Sequence, residues 1–242
     1  MEHNNYGNVR EAYEKARHGF PEEVIHLIGS LVPRSSRVLD VGCGTGISTR
    51  QIDTLFDVVY GCDKDEGMIE FAQNYDDAIS YVVAPAHTMP YEKEMFDAVT
   101  AFSAFHWFYD EESIAEIKRV LTKGGLFIAI NKYSEGGFRE EFLRQLKTIL
   151  PPDFKFQKEK YNPSKILKEH GFTNVHKKTF HGVEEFTVDR ALTRIQSMAY
   201  WNLVPKGKQK SFLNACKKYL ERMAHNGMVD RNIKIEVVYG TK

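Results

Sequence analysis

Apolar and polar positions along the 242 residues follow two periods. Short, largely β-branched runs suited to buried strands fall at Arg37 to Val41, Val58 to Asp63, Ile79 to Val83, Phe96 to Ala101 and Phe127 to Asn131. Between them apolar residues recur at the spacing of one helix face. That pattern predicts helices from Ile47 to Leu55, from Lys64 through Ala72, and along Ile114, Ile117, Val120 and Leu121 behind an Asp110 cap. Strand and helix alternating in this way predict an α/β fold, a mostly parallel sheet with helices on both faces.

The flanks carry further elements. Asn8 to Leu31 reads as two short helices divided near Gly19-Phe20-Pro21, with Val24, Leu27, Ile28 and Leu31 on one face. Phe138, Phe142, Leu146 and Ile149 mark a helix before Pro151, and Asn162-Pro163-Ser164 opens another that closes at His170-Gly171. Strands from Asn174 to Phe180 and from Ile233 to Tyr239 complete a seven-stranded sheet. Between those two strands, Val188 to Trp201 and Gly207 to Met223 read as an extra helical insertion, within which Met198, Tyr200 and Trp201 are either core packing or pocket wall. One domain over 1–242 is expected: an N-terminal helical cover at 1–31, a core at 36–180, the insertion at 185–230 and a last strand at 232–240.

Composition narrows the class. Hydrophobic residues are 42% and charged residues 27% of the chain, as in globular proteins, and 33 basic against 33 acidic side chains leave no net charge to recruit nucleic acid or an anionic membrane. The first residues are polar, and no apolar stretch is long enough to span a bilayer, so a cytoplasmic protein without membrane or nucleic-acid partners is expected. Cys43, Cys62 and Cys216 are odd in number and far apart, which suggests reduced thiols used as small apolar residues, and no histidine spacing suggests a metal site. Oligomeric state is not legible.

Candidate chemistry concentrates at Val38-Leu39-Asp40-Val41-Gly42-Cys43-Gly44-Thr45-Gly46, where a strand runs into a glycine-rich turn and then a helix. Glycines there let a ligand approach the main chain. A dinucleotide fingerprint would need a third glycine where this chain has Ile47, so NAD(P) or FAD fits poorly. About twenty residues on, the second strand ends in Asp63, placed to accept hydrogen bonds from ribose hydroxyls. Leu121-Thr122-Lys123-Gly124-Gly125 then forms a turn before the fifth strand.

These features together resemble the class I S-adenosylmethionine-dependent methyltransferases, from roughly Tyr13 to Val175. VLDVGCGTG matches the family's first motif, Asp63 its second, Ala84 to Pro90 its third, and Leu121 to Gly125 its L-x-x-G-G turn. Ala104-Phe105-His106-Trp107-Phe108, with Ala16-Arg17 and Pro21, resembles more narrowly the type 11 group that includes trans-aconitate methyltransferase-like enzymes. The resemblance implies a Rossmann-like fold and S-adenosylmethionine as methyl donor, with S-adenosylhomocysteine as product. It also implies cofactor contacts at Arg17, Asp40, Gly42, Cys43, Gly44, Asp63, Lys64, Met68, Ala86, His87 and Ser103, in which Arg17 meets the methionine carboxylate and Met68 packs on adenine. Pro85 stands where the family usually carries an acidic residue for the adenine amino group, so the backbone of Ala86 and His87 is expected to read the base.

For catalysis, His106 is the candidate base, since histidine ordinarily titrates near working pH, and Trp107 the candidate pocket wall. The faces of Phe105 and Trp107 are expected to meet the positive sulfur. No Asn-Pro-Pro-Tyr or Asp-Pro-Pro-Tyr follows the fourth strand, which sets aside methylation of DNA bases, and Ser103 is a poor ligand for Mg²⁺. A small-molecule acceptor is expected, with oxygen, such as a carboxylate, implied by the resemblance. The competing functions are a cofactor-binding protein of the same fold without catalysis and, further off, an NAD(P)-linked oxidoreductase.

Overall fold

The computed structural model describes residues 17–151 and 161–242. The chain falls into two compact units, one formed by Gly19–Lys132, Lys160–Phe180 and Ile235–Lys242, the other by Met1–His18, Tyr133–Glu159 and His181–Lys234. The first of the two helices expected over 8–31, with Tyr6 and Tyr13, lies outside the described residues.

Seven strands form one sheet: β1 (Arg37–Val41), β2 (Val58–Asp63), β3 (Ser80–Val83), β4 (Phe96–Phe102), β5 (Leu121–Glu135), β6 (Thr173–Thr187) and β7 (Met228–Thr241), in the order β3-β2-β1-β4-β5-β7-β6. Four of its neighbouring pairs are parallel: β1 with β2 and β4, β2 with β3, and β4 with β5. The sheet is therefore mostly parallel and Rossmann-like, as the alternation of elements predicts.

In the first unit, side chains sort by face because strand residues alternate. Leu39, Val41, Cys62, Val99, Ala101, Phe127 and Ala129 share a buried cluster with Ile114, Ile117 and Val120 of α4 (Glu111–Val120) and Leu167 of α6 (Pro163–Glu169). Asp40 and Thr100 point to the opposite face, where Thr49 of α2 (Ile47–Asp53) meets them. Ile69 and Ala72 of α3 (Glu66–Tyr75) pack with Ile79 and Tyr81 on a smaller cluster. α1 (Glu22–Leu31) buries Val24, Ile25, Leu27 and Ile28, while Gln51 of α2 clasps the backbone of Phe20 ahead of it, accepting from its N–H at 2.7 Å and donating to its carbonyl at 2.9 Å.

Helix starts follow capping chemistry. Asp65 accepts from Met68 N at 3.2 Å, Asp110 from Ser113 N at 2.9 Å, and Asn162 from Lys165 N at 3.1 Å with Pro163 at the first helical position. The expected turn at Leu121 to Gly125 is absorbed into β5 as a bulge. Phe96 pairs with Leu121 and Ala98 with Leu126, so two steps along β4 answer five along β5, and Gly124 takes a φ of +77° to allow it.

In the second unit, α5 (Gly137–Lys147), α7 (Val188–Gln196) and α8 (Gln209–Met223) bury Phe142, Leu146, Ala191, Ile195, Phe212, Cys216 and Leu220 together with Phe186, Trp201 and Val204. Trp201 is thus core packing, 6.1 Å from Phe212 between ring centroids, and Met198 and Tyr200 pack against the same cluster. The helix expected to reach Trp201 stops at Gln196, and 3-10 turns follow at Ala199–Leu203 and Lys206–Lys208. β6 and β7 are longer than their apolar runs because a buried ion pair stands in for apolar residues. Arg231 on β7 is 2% exposed, bonds to Glu184 on β6, and donates to Ser134 Oγ at 2.6 Å. No helix among the described residues is long and apolar enough to cross a membrane.

Phe127 is 1% exposed, 4.8 Å from the Phe105 ring and 6.0 Å from Phe172. Phe127→Ala is expected to cost about 3–5 kcal/mol of stability. A urea-unfolding midpoint that does not move would show that this cluster does not hold the first unit together.

Candidate functional site

Along the sheet, the order in which the chain adds strands reverses between the parallel strands β1 and β4, and such a switch point opens a crevice beyond the carboxyl ends of the strands. The glycine loop fills one side of it. Gly42 N and Cys43 N donate to the Cys62 carbonyl at 2.7 and 3.1 Å, and Gly44 N donates to Asp63 Oδ2 at 3.0 Å. Gly42, at φ +73°, is obligatory because a Cβ there would lie 2.6 Å from Ala104 Cβ and 3.1 Å from Phe108 Cε1. A Cβ at Gly44 would meet no protein atom within 4 Å, so the backbone of the loop is bare on that side, as a main-chain cradle requires.

Asp63 joins three segments. Its second carboxylate oxygen, Oδ1, accepts from Asp65 N at 3.0 Å, and its carbonyl accepts from Ala84 N at 2.9 Å. Burial raises its pKa, opposed by the two backbone donors. Beneath the loop, Asp40 is fully buried and receives Thr49 Oγ1 at 2.8 Å and Thr100 Oγ1 at 3.0 Å. Desolvation pushes its carboxyl up to about 7 despite those hydroxyls, and neighbouring Asp63 adds to the rise. Asp40 therefore supports the loop from inside, a correction to its expected place as a ligand contact.

At the end of β4, Ser103 adopts a φ of +50°, unusual for a residue with a side chain, while its N–H donates to the Ile130 carbonyl at 2.6 Å. A single 3-10 turn, Phe105–Trp107, follows. Phe105 is 1% exposed among Phe127, Phe108 and Tyr161, so the expectation that its face meets a sulfonium is overturned: it is core. Trp107, 50% exposed, presents its ring at the surface beside His106, with 4.9 Å between centroids.

His106 keeps an exposed edge, yet desolvation by the protein around it lowers its pKa to about 4, with the Tyr161 ring edge-on at 6.0 Å. The shift is downward from the ordinary histidine value, and its cause is the burial of part of the ring, which disfavours the charged form.

Other expected residues separate. Met68 is 3% exposed within α3, Lys64 is exposed, Cys43 is half-buried with its thiol pushed up by burial, and Ala86 is buried while His87 is exposed. Thr88 N donates to the Pro85 carbonyl at 3.0 Å, closing a turn over Ala86 and His87. Arg17 belongs to the other unit, where its guanidinium donates to the Ser197 carbonyl at 3.5 Å. Sequence reading missed Thr49 and Thr100 as partners of Asp40, and Glu116 and Arg119 of α4, which bond the backbone at Met89 and Tyr91. The only signal for the threonines was polarity at positions otherwise facing a core.

Comparison with known proteins finds methyltransferases. Residues 39–129 match a family model described as a methyltransferase domain. The chain is 24% identical over 241 residues to an uncharacterized methyltransferase of Schizosaccharomyces pombe, covering 95% of this chain and 93% of that one. The YcgJ protein of Bacillus subtilis shares the fold with a TM-score of 0.60 at 18% identity, over 92% of this chain and 99% of its own. A phosphoethanolamine N-methyltransferase 2 of Haemonchus contortus, solved with phosphomonomethylethanolamine and S-adenosylhomocysteine, shares it with a TM-score of 0.57 at 20% identity, over 98% of this chain but 57% of that one.

The raised pKa of Asp40 makes a signed prediction. Its contribution to stability is fully present below the unfolded value of 3.8 and is lost as pH rises through about 7. Asp40→Asn removes the titration while keeping shape, so unfolding midpoints of the variant are expected to lose this decline and to gain on the order of a few kcal/mol relative to the parent near pH 8. Parallel stability–pH curves for the two proteins would refute it.

Proposed function

We propose that this chain is a class I S-adenosylmethionine-dependent methyltransferase of the type 11 group and transfers a methyl group from S-adenosylmethionine to a small-molecule acceptor, a reading supported by the methyltransferase-domain match over residues 39–129 and by the relative 24% identical across 95% of the chain. The observation that carries the reading is the joint between Asp63 and Gly44, a carboxylate at the end of β2 holding open a glycine cradle at the end of β1. S-adenosylhomocysteine bound to the Haemonchus enzyme, which shares the fold, is in line with it.

In this reading Gly42, Cys43 and Gly44 hold the methionine portion against bare backbone, Asp63 and Lys64 flank the ribose, and the backbone of Ala86 and His87 meets the base, with Met68 behind it. Ser103 with Trp107 borders the acceptor. When bound, S-adenosylmethionine would supply an electrophilic methyl carbon, to which an acceptor lone pair would bond in line while the carbon–sulfur bond breaks and its electron pair leaves on the neutral thioether S-adenosylhomocysteine. What the chain contributes is alignment and exclusion of water. His106 stands beside Trp107 as the candidate base for an acceptor that must lose a proton, with burial disfavouring its charged form. An acceptor already ionised, such as a carboxylate oxygen, needs no base, and this is the acceptor class proposed.

Calorimetric titration with S-adenosylmethionine, S-adenosylhomocysteine and NADH tests the cofactor. Binding of the two sulfur compounds and not NADH is expected; binding of NADH alone would overturn the reading. In the same titration Asp63→Ala loses charge-assisted hydrogen bonds worth about 1.5–3 kcal/mol each, and S-adenosylhomocysteine should bind roughly ten- to more than a hundredfold more weakly. Unchanged affinity would remove Asp63 from the site.

A further inference from the structure

Pro85 leaves base recognition to a short loop with no acidic side chain of its own, and a backbone reads a base only if it is held still. At its start the loop hangs from Asp63, whose carbonyl accepts from Ala84 N at 2.9 Å. At its other end two side chains of α4 grip it. Glu116 Oε1 accepts from Met89 N at 2.7 Å, and Arg119 Nη2 donates to the carbonyls of Met89 at 3.2 Å and Tyr91 at 2.9 Å.

The two grips are locked to each other. Arg119 Nε and Nη2 donate to Glu116 Oε2 and Oε1 at 2.6 and 2.8 Å, a bidentate pair one helical turn apart. These bonds hold the Glu116 carboxyl below its ordinary range, so it is ionised wherever the protein is folded near neutral pH. Glu116 is 12% exposed, and α4 is anchored by Ile117 and Val120, both fully buried. The grip is therefore fastened to the core.

We propose that Glu116 and Arg119 are a positioning pair that sets specificity for the adenine base, by fixing the 84–91 segment so that the backbone at Ala86 and His87 meets the adenine edge. This rests on the cofactor reading given above. Neither side chain touches the cofactor in this assignment; both act through the loop. A pair serving stability alone would lower affinity for every ligand of the site by one factor, or not at all. A pair that positions a base-reading loop lowers affinity only for the ligand whose base is read.

The test compares S-adenosylhomocysteine with S-inosylhomocysteine, in which an oxo group replaces the adenine amino group, by calorimetry on the full chain and on Glu116→Ala, Glu116→Gln and Arg119→Lys. The parent is expected to prefer the adenine form by at least about tenfold, the scale of one specific hydrogen bond. Glu116→Ala should bind S-adenosylhomocysteine about tenfold more weakly while S-inosylhomocysteine changes by less than about threefold, so that the preference collapses. Glu116→Gln keeps an acceptor for Met89 N and should retain part of the preference; with Arg119→Lys it carries the test if the alanine variant does not fold. Equal weakening of both ligands, an unchanged preference in all three variants, or a parent that binds both equally would overturn the proposal. A parent that binds neither would overturn the cofactor reading and this proposal with it, which separates that failure from the others.

Discussion

A buried carboxylate held by hydroxyls in place of a cation organises the unit that carries the glycine loop. Asp40 lies on β1 at the switch point of the sheet, and its two oxygens take one hydroxyl from α2 and one from β4. Desolvating it costs stability, as its pKa near 7 records. In return β1, the helix that follows it and the distant β4 are locked in one geometry, and the glycine loop that leaves β1 is aimed before any ligand arrives. An apolar residue would pack there at lower cost but would not fix the direction of α2 or the register of β4.

Asp63 extends the same logic outward. Its carboxylate spans the amides of Gly44 and Asp65, and its carbonyl supports Ala84, so the ends of β1, β2 and β3 share one residue. The loop after β3 is then gripped from α4 by Glu116 and Arg119. Positive-φ glycines and Ser103 absorb the sharp turns this layout needs, and Ala104 and Phe108 close over Gly42 where a side chain would collide. Rigidity here comes from a few charged groups bonded to backbone, while bulk stability comes from the aromatic packing around Phe105 and Phe127.

The aromatic segment after β4 shows how residues of one short run divide between duties. Phe105 went to the core and Trp107 to the surface, because a 3-10 turn sends neighbouring side chains in different directions. His106 kept a polar ring beside Trp107 and Tyr161, where partial burial disfavours its charged form. Position in a motif told that this segment borders the site; only packing told which side chain has which chemistry.

By itself the sequence determined the alternation of strands and helices, the glycine turn after β1, the acidic end of β2, and the caps at Asp110 and Asn162, because each depends on local periodicity, on φ, or on one side chain reaching its own backbone. Tertiary structure alone decided the rest. Threonines 49 and 100 are anonymous polar residues until folding brings them to Asp40, and Glu116 and Arg119 read as an ordinary exposed helix pair until Met89 and Tyr91 come within reach. The lengths of β6 and β7 escaped the apolar pattern because Glu184 and Arg231 are buried only as a pair. A local pattern reports what a residue prefers, whereas pKa, burial and partnership are set by neighbours that the chain supplies from a distance.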